Sequence, residues 1–183
     1  MDGLLFDSER IVQRSWEMAG DELGIPHMGE VIYHTLGMNR TGRNEYFRKY
    51  IREDFPFEEF GRLTRDNFWK IVDKEGLPLK KGVKELLAYG KAQGYKMAVA
   101  TSSSREYAMG NLIRAGIDSY FDSVICGDMV KKAKPDPEIY QKACESLGIQ
   151  PEYCMAFEDA PGGILSAHQA GMQVIMVPDL VQP

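Results

Sequence analysis

At 183 residues and a formal net charge of −5, the chain is long enough for one domain carrying an insertion, and its acidic balance gives no electrostatic reason to expect nucleic acid or an anionic membrane as partner. Three cysteines, Cys126, Cys144 and Cys154, are odd in number and lie in segments that read as strand or helix, which argues against a disulfide framework and for small buried side chains in a reducing cytoplasm. No apolar run approaches the roughly 20 residues that span a bilayer and no signal-peptide pattern opens the chain, so a soluble cytoplasmic protein is expected.

In chain order, "MDGLLFDSER" sets an acidic residue, a glycine, an apolar run and a second acidic residue at the very start. The stretch "SERIVQRSWEMAGDELGI" then places Ile11, Trp16, Ala19 and Leu23 near one helical face, with Ser8 as its candidate cap. "MGEVIYHTLG", "RTGRNEYFRKYI" and "FEEFGRLTRDNFWKIVDKEG" follow as further helices, each ended or interrupted by Gly or Pro, so this part of the chain is expected to form a small helical bundle.

Near residue 78 the texture changes. Short β-prone runs in "YKMAVATSSS", "FDSVICGD", "CMAFEDA" and "QVIMVPD" alternate with amphipathic stretches in "REYAMGNLIRAG", "DPEIYQKACESLG" and "GGILSAHQAG". Such alternation predicts parallel strands joined by right-handed helical crossovers, an α/β fold with an open, Rossmann-like sheet. Ligands of such sheets lie beyond the carboxyl ends of the strands.

The strand ends carry Thr101-Ser102-Ser103, Gly127-Asp128 and Glu158-Asp159, with Lys134 in the intervening loop "KKAKPDP" and Asp2 at the start. A hydroxyl and unpaired amides where a strand meets a helix suit a phosphate, which assigns Thr101 and the Ser102 amide to phosphate binding. Lys134 supplies a point charge against phosphate. Oxygen donors clustered without His or Cys suit Mg²⁺, so Asp159 supported by Glu158 is the candidate metal site. Each piece has a plainer reading. Thr101 to Ser104 could only cap the following helix, Lys134 could be a solvated loop lysine, and Glu158-Asp159 could only complement a helix dipole. His27, His34 and His168 show no ligand or triad spacing.

Taken together, "MDGLLFDSE", "AVATSSS", "AKPDPEIY" and "FEDAPGGI", in that order, resemble the four motifs of the haloacid dehalogenase (HAD) superfamily. The branch resembled is that of small phosphatases and β-phosphoglucomutase-like proteins with a helical cap after the first motif. The likeness covers essentially the whole chain and implies a core from residues 1–8 and 77–183 with a cap at 9–76. It implies a Mg²⁺-dependent phosphatase of small phosphorylated metabolites, sugar phosphates among them, acting as a monomer through an aspartyl phosphate. The family's first motif is Asp-x-Asp-Gly. Met1-Asp2-Gly3 matches its last three positions, so Asp2 takes the acid–base role and offers its backbone carbonyl to the metal, and Gly3 lines the phosphate. The nucleophilic Asp and its strand would precede Met1, which makes the start resemble a position inside an active-site loop; without that residue no turnover is expected, and the C-terminus is expected to continue with a further strand and helix. Asp7 and Ser8 fall at the cap junction. Within the cap, "TLGMNR" resembles a Gly-x-x-Arg segment that holds a sugar's distal phosphate, which assigns Arg40 to substrate binding, with a surface-arginine role as the plain alternative. Val12 stands where the mutases carry a supporting His, which favours phosphatase over mutase. A non-catalytic phosphate-binding module is the remaining alternative.

Overall fold

The structure is a computed structural model that describes residues 1–35, 38 and 40–179. Among them, Ser8–Gly76 folds into four α-helices, α1 Ser8–Glu22, α2 Met28–Thr35, α3 Arg40–Tyr50 and α4 Phe57–Glu75. The helical spacing of α1 is realised as read: Ile11, Trp16 and Ala19 are buried, and Leu23 packs against the cluster that holds Trp16 and Ala19. Trp16 stands edge-on to both Phe47 and Phe60 with ring centroids 5.6 Å apart, an arrangement that aromatic quadrupoles favour. With Met28, Val31, Ile32, Phe55 and Leu63 these rings complete a core drawn wholly from this segment. Ser8 begins α1 as a buried helical residue.

A second unit combines Met1–Asp7 with Leu77–Asp179. It runs α5 Val83–Ala92, β1 Ala98–Ala100, α6 Arg105–Arg114, β2 Ser123–Ile125, α7 Glu138–Leu147, β3 Met155–Glu158, α8 Pro161–Gln169 and β4 Gln173–Met176. The ladders are parallel, with Ala98 opposite Ser123 in the first and Met155 opposite Gln173 in the second. Parallel neighbours cannot be joined by a tight hairpin, and α6 and α8 make the crossovers.

The α/β class and strand direction follow the sequence expectation, but the strands form two separate two-stranded sheets, β1-β2 and β3-β4. Both ladders nevertheless contribute to one apolar cluster, in which Ala98, Ala100, Ala156 and Val174 meet Ile139, Tyr140 and Ala143 of α7. The N-terminal segment is anchored in this unit: Phe6 is fully buried, Asp7 N donates to Pro78 O at 2.9 Å, and Lys80 N donates to Leu5 O at 2.9 Å. Cys126 and Cys144 are buried free thiols as expected, while Cys154 is only half-buried. No helix of the described residues is long and apolar enough to cross a membrane.

Candidate active site

The Asp2-Gly3 turn is built from the backbone outward. Gly3 N donates to Phe6 O at 3.0 Å, and Gly3 adopts φ +72°, a left-handed conformation that costs a residue without Cβ nothing. A Cβ at this position would also meet Asp159 Oδ2, with Asp159 Cγ 3.0 Å and Asp179 Oδ2 3.2 Å away. Gly3 therefore lets an acidic side chain approach the turn closely.

Asp2 is gripped at both oxygens. Tyr107 OH donates to Oδ1 at 2.9 Å and Ser103 Oγ donates to Oδ2 at 3.0 Å. The helix that presents Tyr107 is capped by Ser104, whose side chain accepts from Tyr107 N. The capping reading of the Ser-rich stretch thus holds for Ser104. Thr101 is buried, and its Oγ1 accepts from Ser103 N at 3.2 Å, which orients the loop around Asp2. Burial next to Asp2, and the hydrogen bond to it, raise the Tyr107 phenol far above its ordinary value, so it acts as a donor throughout the accessible pH range.

Lys134 is well removed from solvent, with its side chain 14% exposed. Its Nζ donates to Ala100 O at 3.1 Å, lies 3.4 Å from Tyr140 OH and pairs with Glu158 Oε1. Tyr140 OH also donates to Glu158 Oε1. Burial acts to raise the Glu158 carboxyl, but the Lys134 ammonium and the hydrogen bonds from Lys134 and Tyr140 outweigh it and hold the group below its ordinary value. Room for this carboxylate comes from Gly163 at the start of α8: a Cβ there would fall on the Glu158 carboxyl group. The loop that delivers Lys134 is tied down by Glu138, whose carboxylate accepts from Lys131 N and Lys132 N at 3.0 and 2.9 Å.

These contacts close a ring. Asp2 is bonded to Ser103, Ser103 to Thr101, and the preceding Ala100 carbonyl to Lys134. Lys134 is bonded to Glu158, the next residue Asp159 abuts Gly3, and Gly3 follows Asp2. Residues separated by up to 157 positions therefore share one neighbourhood within a single unit. Ser102 lies on the exposed side of the same loop. The side chain of Arg40, read from the sequence as a phosphate ligand, lies outside the described residues.

The acidic residues do not gather as one metal cage. Among the described residues no three Asp, Glu, His or Cys side chains converge on a point. Asp2 and Glu158 are engaged by hydroxyl and ammonium donors, which leaves Asp159 as the predicted acidic ligand at the turn. Burial, with Glu158 and Asp179 nearby, raises the Asp159 carboxyl above its ordinary value. Asp179 Oδ2, facing the same turn, is buried without a hydrogen-bond partner. Two such oxygens suit a hard cation that takes few carboxylates and keeps several waters, which is the chemistry of Mg²⁺. Sequence reading missed Tyr107, Tyr140, Lys80 and Asp179. Tyr107 follows a capping Ser, Tyr140 ends "AKPDPEIY" and Asp179 ends "QVIMVPD", but their partners reach them only through tertiary contacts.

Comparison with known proteins bears on this geometry. A family model described as haloacid dehalogenase-like hydrolase matches residues 1–177. The chain is 31% identical, over 96% of its length and 81% of the relative's, to the phosphorylated carbohydrates phosphatase of Thermotoga maritima. It superposes with TM-score 0.84 and 28% identity on a T. maritima crystal structure provisionally described as a β-phosphoglucomutase, covering 100% of this chain and 85% of the other. A CbbY variant from Rhodobacter sphaeroides, crystallised with xylulose-1,5-bisphosphate, matches with TM-score 0.69 and 26% identity over 97% of this chain and 83% of the other. A motif set spread over four segments, a ring of contacts joining them and these likenesses agree: the chain belongs to the haloacid dehalogenase-like hydrolases, in the β-phosphoglucomutase-like phosphatase branch.

Proposed function

We propose that this protein is a Mg²⁺-dependent phosphatase of small phosphorylated sugars that works through an aspartyl phosphate. The observation that carries the reading is the contact ring joining Asp2, Thr101, Lys134 and the Glu158-Asp159 pair. The names of the phosphorylated carbohydrates phosphatase and of the bisphosphate-bound CbbY support the substrate class.

In this reading Thr101 and the Ser102 amide hold the phosphoryl oxygens, and Lys134 faces them with a charge kept in place by Glu158. Asp2 protonates the departing sugar oxygen, which leaves as the alcohol, and then takes a proton from the water that hydrolyses the acyl phosphate. Ser103 and Tyr107 hold its carboxylate during both transfers. The accepting carboxylate would be the Asp that precedes x-Asp-Gly in the family pattern. Mg²⁺, held by Asp159 with the Asp2 carbonyl, would supply charge neutralisation at the transferring phosphoryl group. By the resemblance, segment 9–76 has the cap's role of selecting the substrate and Arg40 a role in binding it. Val12, at the position of a mutase His, instead packs against the apolar helical core, which favours hydrolysis over isomerisation.

The test is phosphate release from a panel of sugar phosphates by protein carrying the complete Asp-x-Asp-Gly motif, with Mg²⁺ and with a chelator. Mg²⁺-dependent release that Asp2→Asn reduces by at least a hundredfold is expected. Release unaffected by chelation, or isomerisation that depends on a sugar bisphosphate, would overturn the assignment.

A further inference from the structure

Asp179 follows β4 and belongs to none of the four motif segments. Its side chain is nine-tenths buried, at 10% exposure, and Oδ1 pairs with Lys80 Nζ across 99 residues of sequence. Oδ2 is buried with no hydrogen-bond partner. Carboxylate oxygens withdrawn from water are ordinarily satisfied, because an unmet acceptor costs about 1–3 kcal/mol and more when charged. The direction of this oxygen is informative. It stands 3.2 Å from the point where Gly3 would place a Cβ, and Asp159 Oδ2 is closer still to that point. Two acidic oxygens from the ends of separate strands thus lie close to a residue with no side chain, while the Lys80 ammonium engages Asp179 on its other oxygen.

A purely structural ion pair would explain Lys80 with Asp179 Oδ1 and nothing about Oδ2. A divalent cation explains both, since it takes hard oxygen ligands and needs only a few of them from the protein. Resting on the metal-dependent reading above, we propose that Asp179 is a second carboxylate ligand of the divalent cation beside Asp159, and that Lys80 is a resident counter-charge that holds Asp179 in place and moderates the site's affinity. Lys80 offsets part of the charge of the two carboxylates before the metal arrives, at the expense of binding strength.

The experiment is a Mn²⁺ titration of the full protein, read from the electron paramagnetic resonance signal of the free ion, with circular dichroism as the check on folding. Asp179→Asn is expected to weaken Mn²⁺ binding at least tenfold, and Lys80→Met to tighten it severalfold, because it leaves both oxygens of Asp179 to the metal. Folded Asp179→Asn that binds Mn²⁺ like the parent would overturn the ligand assignment while leaving the phosphatase reading intact. A parent protein that binds no Mn²⁺ would overturn both. Should Asp179→Asn not fold, Lys80→Met decides alone: unchanged or weaker binding overturns the proposal.

Discussion

Asp2 accepts from two hydroxyls on one loop-helix junction, and this double grip is the most informative residue-scale feature of the site. In the proposed mechanism this carboxylate gives and takes a proton, which gains from its being held in one orientation, and the two donors come from Ser103 and from Tyr107, one helical turn further on. A hydrogen bond to a charged acceptor contributes about 1.5–3 kcal/mol. Tyr107→Phe is therefore expected to lower kcat by about tenfold, equivalent to about 1.4 kcal/mol, with KM little changed. A double-mutant cycle with Ser103→Ala checks it: a loss confined to KM, or additive small effects on stability alone, would show that Tyr107 only packs.

At the scale of elements, the loop before α7 decides where Lys134 points. Glu138 in the first turn of α7 accepts from Lys131 N and Lys132 N, and those backbone bonds, with Lys142 adding to them, hold its carboxyl below the ordinary value of 4.5. The folded pKa lies below the unfolded one, so this contribution is fully present above about pH 4.5 and is lost as pH falls through the lowered folded value. The Lys131 and Lys132 amide resonances should accordingly titrate together with a midpoint below 4.5, and a midpoint at or above it would refute the anchoring role. The strands show what was legible at this scale. Every strand and helix named from the alternation after residue 78 is present, because periodicity and turn residues are local signals. α5 lies outside the segments named from that alternation. The split into two ladders could not be read, since pairing is a property of strands brought together.

For the whole molecule, the helical segment Ser8–Gly76 carries an apolar cluster made of its own residues. Its buried rings and aliphatics each contribute about 1.5–3 kcal/mol relative to exposure. We expect residues 8–76 alone to give a helical far-UV spectrum and a cooperative thermal transition, and a featureless melt would show that this core needs the remainder of the chain.

The sequence by itself determined the fold class, the order of elements and the identity of four motif segments, because each rests on residue type and spacing within a few positions. Only the tertiary structure decided who holds whom. Tyr107 on Asp2, Tyr140 on Glu158 and Lys80 on Asp179 are partnerships across 105, 18 and 99 residues, and no local pattern encodes a contact that exists only once separate loops have been folded against one another.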